Sequence, residues 1–259
     1  MDESLFERLS SPVYDGVRAR TYLALDVPNV EQARQWIARF GDVLYGYKVG
    51  LELFYAAGPA FLEELARLGK RVFLDVKLHD IPNTVAGALR SLCQYPLEMV
   101  NVHAAAGRRA LEAARMAVDQ SPFQPLLIGV TVLTSLDAPD LGEIGIDRPP
   151  EPLVMQLARL VKACGLDGVV ASAREAAKLK MEFGPEFELV IPGTRPAFAD
   201  KGDQQRTMSP GQALAAGATR LVMGRAVTKA RNPELALLRI WDEMREAVTR
   251  TTDPKGSHE

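Results

Sequence analysis

The stretch VFLDVKLHDIPNT, residues 72–84, decides how the rest of the chain is interpreted. It begins as an apolar strand and ends at Pro82, which suits the first turn of a helix. Side chains two apart on a strand share a face, so Asp75 and Lys77 are expected together, about 6.6 Å apart along the backbone. Buried charges are costly unless they are paired. A structural salt bridge would explain this pair, but Asp80 adds a third charge where the strand ends, which favours a functional site.

The fold prediction comes from short apolar runs that alternate with helical patterns along the whole chain. Continuous apolar strands separated by helices indicate a parallel sheet of βαβ units. The eight apolar runs are 22–25, 43–49, 72–77, 99–103, 126–133, 168–171, 189–191 and 221–223. The eight helical patterns are 30–40, 59–68, 82–92, 107–118, 152–164, 173–183, 209–216 and 233–248. Eight such units predict a (β/α)8 TIM barrel, with a doubly wound open sheet as the alternative.

We expect one domain over residues 1–259, because no linker divides the chain. Residues 2–18 are predicted to form a short N-terminal helix, and residues 251–259 a flexible tail. Residues 134–150 are polar and rich in proline and glycine. They follow a strand and are therefore interpreted as a βα loop.

Bulk properties narrow the classes of function. The net charge of −2 predicts no general attraction to nucleic acid or to an anionic membrane. The apolar runs are far shorter than the ~18 residues of a membrane span. Cys93 and Cys164 are well separated and lie outside any CxxC or Cys/His cluster, so neither a disulfide framework nor a zinc site is expected. The polar, acidic N-terminus is unlike a signal peptide, and we expect a reduced, cytoplasmic setting.

Polar residues gather where the predicted strands end. In a (β/α)8 barrel the active site lies at the carboxyl ends of the strands. A single polar residue there can be a turn residue, a cap or a satisfied polar group, which is how we interpret His103. The concentration of them at one end favours a site. They are Asp26, Lys48, Asp75, Lys77, Asn101, His103, Thr134, Ser135, Arg195 and Arg225.

The last two strands carry a separate phosphate signal. Barrels commonly bind phosphate with the loops after strands seven and eight. Here those loops contain Gly193 with Arg195 and Gly224 with Arg225. Glycine lets the backbone approach an anion, and arginine supplies a bidentate charge. The polar loop 197–207 between these strands is expected to close as a lid, the alternative being an ordinary surface loop.

The ten residues DVKLHDIPNT, 75–84, resemble the signature of the orotidine 5′-phosphate decarboxylase family in its bacterial form. The resemblance continues along nearly the whole barrel. It includes LALD at 23–26, YKVG at 47–50, VTVLTS at 130–135, PGTRP at 192–196, DQQR at 203–206 and VMGRAVT at 222–228. Thr194 stands where this family more often has isoleucine. No role is attached to that side chain, so the departure puts little in doubt.

The resemblance implies decarboxylation of orotidine 5′-monophosphate to uridine 5′-monophosphate, the last step of de novo pyrimidine nucleotide synthesis. It implies no metal and no organic cofactor. It also implies a homodimer in which Asp80 and Thr84 reach the neighbouring subunit's site. Lys77 is then the proton donor to C6 of the pyrimidine, between Asp75 and the partner's Asp80.

The remaining roles are carried over from the same resemblance. Asp26 and Lys48 are expected to hold the ribose hydroxyls, Lys48 also joining the charged cluster. Thr134 and Ser135 are expected at the pyrimidine. The expected catalytic residues are Lys77, Asp75, Asp80 and Lys48. The expected substrate-binding residues are Asp26, Lys48, Asp75, Lys77, Asp80, Ile81, Thr84, Thr134, Ser135, Arg195, Gln204, Gly224 and Arg225.

Three other functions are compatible with parts of this pattern. A related phosphosugar decarboxylase or aldolase would use Mg²⁺, but Lys48 at the end of the second strand would repel a cation. A Schiff-base aldolase needs an uncharged lysine, whereas neighbouring carboxylates favour the ammonium form of Lys77. A non-catalytic nucleotide-binding barrel would need the arginines but not the charged cluster.

Overall fold

The computed structural model describes residues 3–196 and 208–252 of the chain. In these residues eight parallel strands close into a barrel in the order of the sequence, each strand paired with the next and β8 paired with β1. The strands are β1 Thr21–Ala24, β2 Gly46–Gly50, β3 Arg71–Leu78, β4 Met99–His103, β5 Leu126–Val130, β6 Gly168–Val170, β7 Glu188–Pro192 and β8 Arg220–Met223. The (β/α)8 prediction is confirmed, and the open sheet is excluded because the first and last strands are hydrogen-bonded to each other.

Helices surround this barrel. They are α1 Glu3–Ser10, α2 Asp15–Arg18, α3 Val30–Phe40, α4 Leu51–Ala57, α5 Ala60–Arg67, α6 Pro82–Leu92, α7 Arg108–Asp119, α8 Ala138–Glu143, α9 Pro150–Ala163, α10 Ala176–Phe183, α11 Pro210–Ala215, α12 Arg225–Thr228 and α13 Pro233–Thr252. Two single 3₁₀ turns occupy Pro12–Tyr14 and Ala104–Ala106. Within the described ranges no helix combines the length and the apolar character needed to cross a bilayer.

The N-terminal segment is not the single helix expected over residues 2–18. Between α1 and α2 the chain passes through the 3₁₀ turn that starts at Pro12. Proline disfavours the helical conformation in the residue before it, and Ser11 is accordingly extended, with φ −59° and ψ 135°. The helix therefore breaks after Ser10.

Beyond the N-terminal segment, three helices lie outside the eight predicted helical patterns: α4, α8 and the one-turn α12, which follows β8. Helix α4 follows β2 directly and ends at Gly58, which has a φ of +65°. Helix α8 lies inside the predicted loop 134–150 and begins with a reciprocal capping box between Asp137 and Asp140. At the other end of the chain α13 runs to Thr252, into the predicted tail. The rest of that tail lies outside the described residues.

The core has an inner and an outer layer. Apolar side chains of alternate strand positions fill the barrel, and the positions between them pack outward against the helices. The inner layer contains Tyr22, Ala24, Phe73, Met99, Ile128, Val190 and Val222. Two residues beyond Phe73 and Met99 the same inward-facing rows continue with Asp75 and Asn101. The barrel interior thus changes from apolar to charged at the carboxyl ends of β3 and β4.

Candidate active site

A continuous chain of charges crosses the carboxyl ends of the first three strands. The Lys48 ammonium on β2 lies 2.9 Å from Asp26 Oδ1, after β1, and 3.3 Å from Asp75 Oδ2 on β3. Lys77 Nζ lies 2.7 Å from the other oxygen, Asp75 Oδ1. The Lys48 and Asp75 side chains are 11% and 13% exposed, whereas that of Asp26 is 64% exposed. The structure thus brings together four of the residues singled out in the sequence.

The ionisation of this cluster follows from its charges more than from its burial. Burial favours the neutral form of the Lys48 amine, but Asp75 and Asp26 outweigh it and raise the pKa of Lys48. Burial likewise acts to raise the pKa of Asp75. The ammoniums of Lys48 and Lys77, with hydrogen bonds from Lys77 and Asn101, outweigh it and hold the pKa of Asp75 below its usual value. Lys48 and Asp75 are therefore both charged at neutral pH.

Gly50 leaves the space that the Lys48 ammonium occupies. A Cβ atom at residue 50 would lie 3.0 Å from Lys48 Nζ and 3.5 Å from Asp26 Oδ1. Such a contact is shorter than carbon normally tolerates, so a larger residue at this position would push the ammonium away from its two carboxylates.

Strand β3 is irregular at the site. Leu74 pairs with Val100 and Leu78 with Val102, so four residue steps on β3 face only two on β4. Within this bulge Lys77 has a φ of +48°, the positive-φ conformation that residues other than glycine seldom adopt. Asp75 and Lys77 do meet as predicted, but through a distorted strand rather than through regular alternation.

Asn101, for which the sequence pattern predicts no individual role, completes the cluster. It is fully buried on β4. Its Nδ2 donates a 2.7 Å hydrogen bond to Asp75 Oδ1, and its Oδ1 accepts a 2.7 Å hydrogen bond from the Lys77 backbone N–H. The available signal was a lone amide at an inward position of the apolar strand MVNVH, next to the strand that bears Asp75.

The residues that lead into α6 and form its first turn face solvent. Asp80, Ile81 and Thr84 are exposed, and the Asp80 carboxylate accepts a 2.7 Å hydrogen bond from the Ile81 backbone N–H. Across residues 3–196 and 208–252, Asp80 forms no ion pair with Lys77. The strand-end geometry therefore keeps this carboxylate away from the charged cluster of its own chain.

The two predicted phosphate loops are neighbours, because β7 and β8 pair up to Pro192 and Val222. Just beyond β7, Gly193 has a φ of +75°, which turns the backbone in a way that glycine permits without strain. The buried Thr194 hydroxyl donates to Met223 Sδ at 3.8 Å and so ties the end of one strand to the other. The threonine that departs from the family pattern thus has a packing role.

The backbone beside the two predicted arginines differs: there is free space at Gly224, before Arg225, whereas Arg195 is held by a backbone hydrogen bond. A Cβ atom at Gly224 would meet nothing closer than Ala24 Cβ, at 4.0 Å. The next residue, Arg225, is exposed at the first position of α12. Arg195 is half-buried, and its backbone N–H donates to Met208 O at 3.0 Å. The predicted lid, residues 197–207, lies outside the described residues.

The other predicted residues are peripheral or lie outside the described chain. Thr134 and Ser135 are exposed in a turn after β5. Gln204 falls in the segment that the structure does not describe. His103 is half-buried, with its ring centroid 5.1 Å from that of His79, and burial together with His79 and Lys77 lowers the pKa of His103.

The described residues contain no group of three or more histidines, cysteines or acidic residues placed to hold a metal ion. In the cluster itself Lys48 is the cation between Asp26 and Asp75. A divalent ion at that point would need these carboxylates as oxygen ligands and would be repelled by the ammonium.

Comparison with known proteins agrees with this geometry. The orotidine 5′-phosphate decarboxylase / HUMPS family matches residues 20–240 of the chain. The orotidine 5′-phosphate decarboxylase of Hydrogenovibrio crunogenus is 49% identical over 214 residues, which cover 83% of this chain and 91% of the relative. That of Marinomonas sp. is 51% identical over 212 residues, covering 82% and 90%. The crystal structure of orotidine 5′-phosphate decarboxylase from Lactobacillus acidophilus superposes with a TM-score of 0.77 at 34% identity, covering 86% of this chain and 98% of that one.

Proposed function

Because this chain belongs to the orotidine 5′-phosphate decarboxylase / HUMPS family, we propose that Lys77 is the proton donor of its reaction. The enzyme decarboxylates orotidine 5′-monophosphate to uridine 5′-monophosphate in pyrimidine biosynthesis. One observation carries the proposal. The Lys77 ammonium lies 2.7 Å from the Asp75 carboxylate, at the end of the barrel where active sites form, in a cluster whose other ammonium is almost fully buried.

The chemistry explains why an ammonium is needed. When the bond from C6 to the carboxylate breaks, carbon dioxide leaves and the electron pair stays on C6, in an orbital that the ring delocalises poorly. A fixed positive charge beside C6 stabilises that pair as it forms, most strongly where water is excluded. Lys77 then transfers a proton from Nζ to C6, which yields uridine 5′-monophosphate, and regains a proton from solvent.

The neighbouring charges keep this donor in place. Asp75 pairs with Lys77 through one oxygen and with Lys48 through the other. We assign Lys48 and Asp26 to the ribose hydroxyls, because the exposed Asp26 carboxylate opens from the cluster toward solvent. Lys48 also supplies the positive charge between the two carboxylates, which supports a reaction without a metal.

Contacts with the substrate's phosphate group supply binding energy at a distance from the reacting carbon. We assign Arg195, Gly224, Arg225 and Gln204 to the phosphate, supported for the first three by the adjacent ends of β7 and β8 and the open backbone at Gly224. Thr134 and Ser135 are assigned to the pyrimidine. Binding energy from a remote group can be used to order the site around the reacting atoms.

We further propose a homodimer in which Asp80, Ile81 and Thr84 complete the partner's site. The exposed segment that leads into α6 supports this, because Asp80, Ile81 and Thr84 all face solvent in the single chain and can contact another chain. The same surface borders a cleft of about 620 Å³ lined also by Arg108 and Arg109. Asp80 would then approach Lys77 from the other chain, opposite Asp75.

A cytoplasmic location is proposed with this function. Cys93 and Cys164 are both free and buried. Unpaired thiols are the rule where glutathione and thioredoxin keep cysteines reduced.

The test of the proton donor is Lys77→Ala, assayed by the loss of orotidine 5′-monophosphate absorbance in excess chelator. We expect turnover to be lost while binding of uridine 5′-monophosphate stays measurable, because the phosphate loops are untouched. Lys178→Ala, on the exposed face of α10, is the matched control and should keep normal turnover. A normal rate for Lys77→Ala would refute the assignment, and a wild-type rate abolished by the chelator would refute the metal-free reaction.

A further inference from the structure

We propose that Asn101 is a positioning residue that holds the Lys77 backbone and the Asp75 carboxylate in the arrangement that the reaction needs. The inference rests on the proposed role of Lys77 as proton donor. Asn101 is buried beneath the charged cluster, and we propose no direct contact between its side chain and the substrate.

The first argument concerns the backbone of Lys77. The bulge between Leu74 and Leu78 takes this part of β3 out of its ladder with β4, while Lys77 adopts a φ of +48°. A buried backbone N–H removed from its ladder needs another acceptor. Asn101 Oδ1 provides it at 2.7 Å, so this amide replaces a ladder hydrogen bond at the residue that carries the ammonium.

The second argument concerns the Asp75 carboxylate. Its Oδ1 accepts hydrogen bonds from both Lys77 Nζ and Asn101 Nδ2, each at 2.7 Å, while Lys48 Nζ lies 3.3 Å from Oδ2. Three donors on two oxygens fix the rotation of the carboxyl group about its χ2 axis. The orientation of the Asn101 amide is also fixed, because one neighbour is a donor and the other an acceptor.

The third argument concerns residue type. An asparagine amide offers one donor and one acceptor without adding charge. Aspartate would keep an acceptor for the Lys77 backbone N–H but bring a second carboxyl group against Asp75. Leucine would offer neither the donor nor the acceptor. This difference makes the role testable.

The experiment compares Asn101→Leu and Asn101→Asp with the wild-type enzyme. For Asn101→Leu we expect kcat to fall by about 10²-fold, the scale of a reacting group displaced by about 1 Å. KM and the affinity for uridine 5′-monophosphate should change by only a few-fold, because the phosphate and ribose residues are untouched. A merely structural residue would not separate kcat from KM in this way.

Asn101→Asp adds a pH signature. Two carboxyl groups in contact resist ionising together, so residues 75 and 101 should share one proton at low pH and repel each other once both are ionised at high pH. The other charged or titratable groups that interact with the Asp75 carboxylate are Lys77, Lys48 and His103. We expect kcat of this variant to recover toward the wild-type value on acidification, whereas Asn101→Leu should show a constant deficit relative to wild type.

Thr21→Val is the matched control for loss of a buried polar group. Thr21 is fully buried at the start of β1, at the opposite end of the barrel, where its hydroxyl donates to Val17 O and accepts from Trp241 Nε1. It should lower the thermal unfolding midpoint and leave kcat unchanged.

The outcomes separate this inference from the one on which it rests. Asn101 has no positioning role if Lys77→Ala is inactive while Asn101→Leu keeps the wild-type kcat and loses only stability, as Thr21→Val does. A pH profile of Asn101→Asp parallel to that of wild type would overturn it as well. If Lys77→Ala keeps the wild-type rate, the proton-donor assignment is wrong, and the role of Asn101 that rests on it is wrong as well.

Discussion

Asp75→Asn is the substitution for which the structure allows the most detailed prediction. The side chain keeps its shape and loses its charge, while Lys77 Nζ and Lys48 Nζ remain where they contacted the carboxylate at 2.7 Å and 3.3 Å. The two ammoniums then face each other without the negative charge between them. We expect the folded protein to lose stability.

The size of the loss follows from the distances. At an effective dielectric constant of about 20, the attraction at 2.7 Å is about 6 kcal/mol and that at 3.3 Å about 5 kcal/mol. Desolvation of the groups opposes most of this attraction. Removing one member of a buried pair costs about 3–5 kcal/mol in other proteins. Since the Lys77 side chain is 30% exposed and partly screened, we expect about 3 kcal/mol.

The pH dependence has a definite sign. The pKa of Asp75 is lowered in the folded protein, because the two ammoniums and the hydrogen bonds outweigh the effect of burial. Its contribution to stability is therefore complete above the unfolded pKa of about 3.9 and is lost as the pH falls through the lower folded pKa. The difference in unfolding free energy between wild type and Asp75→Asn should be constant from neutral pH to about pH 5 and should shrink below about pH 4.

Urea unfolding measures both quantities. Lys77→Met and the double variant Asp75→Asn/Lys77→Met complete the cycle, and the double variant should recover part of the loss because one repelling ammonium is gone. Glu246→Gln removes one charge from an ion pair with Arg250 that is exposed on both sides, so it is the matched control and should change the midpoint little. An Asp75→Asn protein as stable as wild type at pH 7, or a difference that grows on acidification, would contradict the reasoning.

Two further predictions test the proposed dimer and the proposed phosphate site. Mixing inactive Lys77→Ala and Asp80→Ala subunits in equal amounts should restore about a quarter of the wild-type rate. Half of the re-formed dimers are then mixed, and each mixed dimer contains one intact site of two. No recovery after subunit exchange would place Asp80 in its own chain's site. Arg225→Ala should weaken binding of uridine 5′-monophosphate by about 10- to 100-fold, the effect of losing a charged hydrogen-bond partner, and leave that of uridine unchanged. Equal losses for both ligands, or an equal loss in the exposed control Arg159→Ala, would remove Arg225 from the phosphate site.

Much of the fold follows from sequence because parallel strands buried on both faces leave a simple signal. Continuous apolar runs such as LVIP and RLVM alternate with capped helices, and Asn29 caps α3 as its sequence position predicts. The inward-facing charges could be predicted for the same reason. Lys48 and Asp75 interrupt apolar strands near their carboxyl ends, and in a closed barrel those ends meet.

The parts that escaped prediction depend on register rather than on pattern. The two-residue slip between β3 and β4 and the positive φ of Lys77 are properties of a strand pair, and no single run of residues encodes them. Without that slip Asn101 is only one polar residue in an apolar strand. Helix α8, in contrast, had a local signal, because Asp137 and Asp140 form a capping box around Pro139.

The charge balance of the cluster gives a physical reason for the proposed sharing of the site between two chains. The almost fully buried carboxylate of Asp75 serves two ammoniums, while Asp26, the second carboxylate of Lys48, is largely exposed and screened. The buried part of the cluster therefore carries more positive than negative charge, which suits an electron pair that develops at C6 but is unfavourable before the substrate arrives. A second carboxylate near Lys77 would lower that cost. After Asp75, the acidic residue nearest to Lys77 along the chain is Asp80, and its exposure before α6 makes it available to another subunit. If that is its function, dissociation to monomers should abolish turnover while leaving the barrel folded.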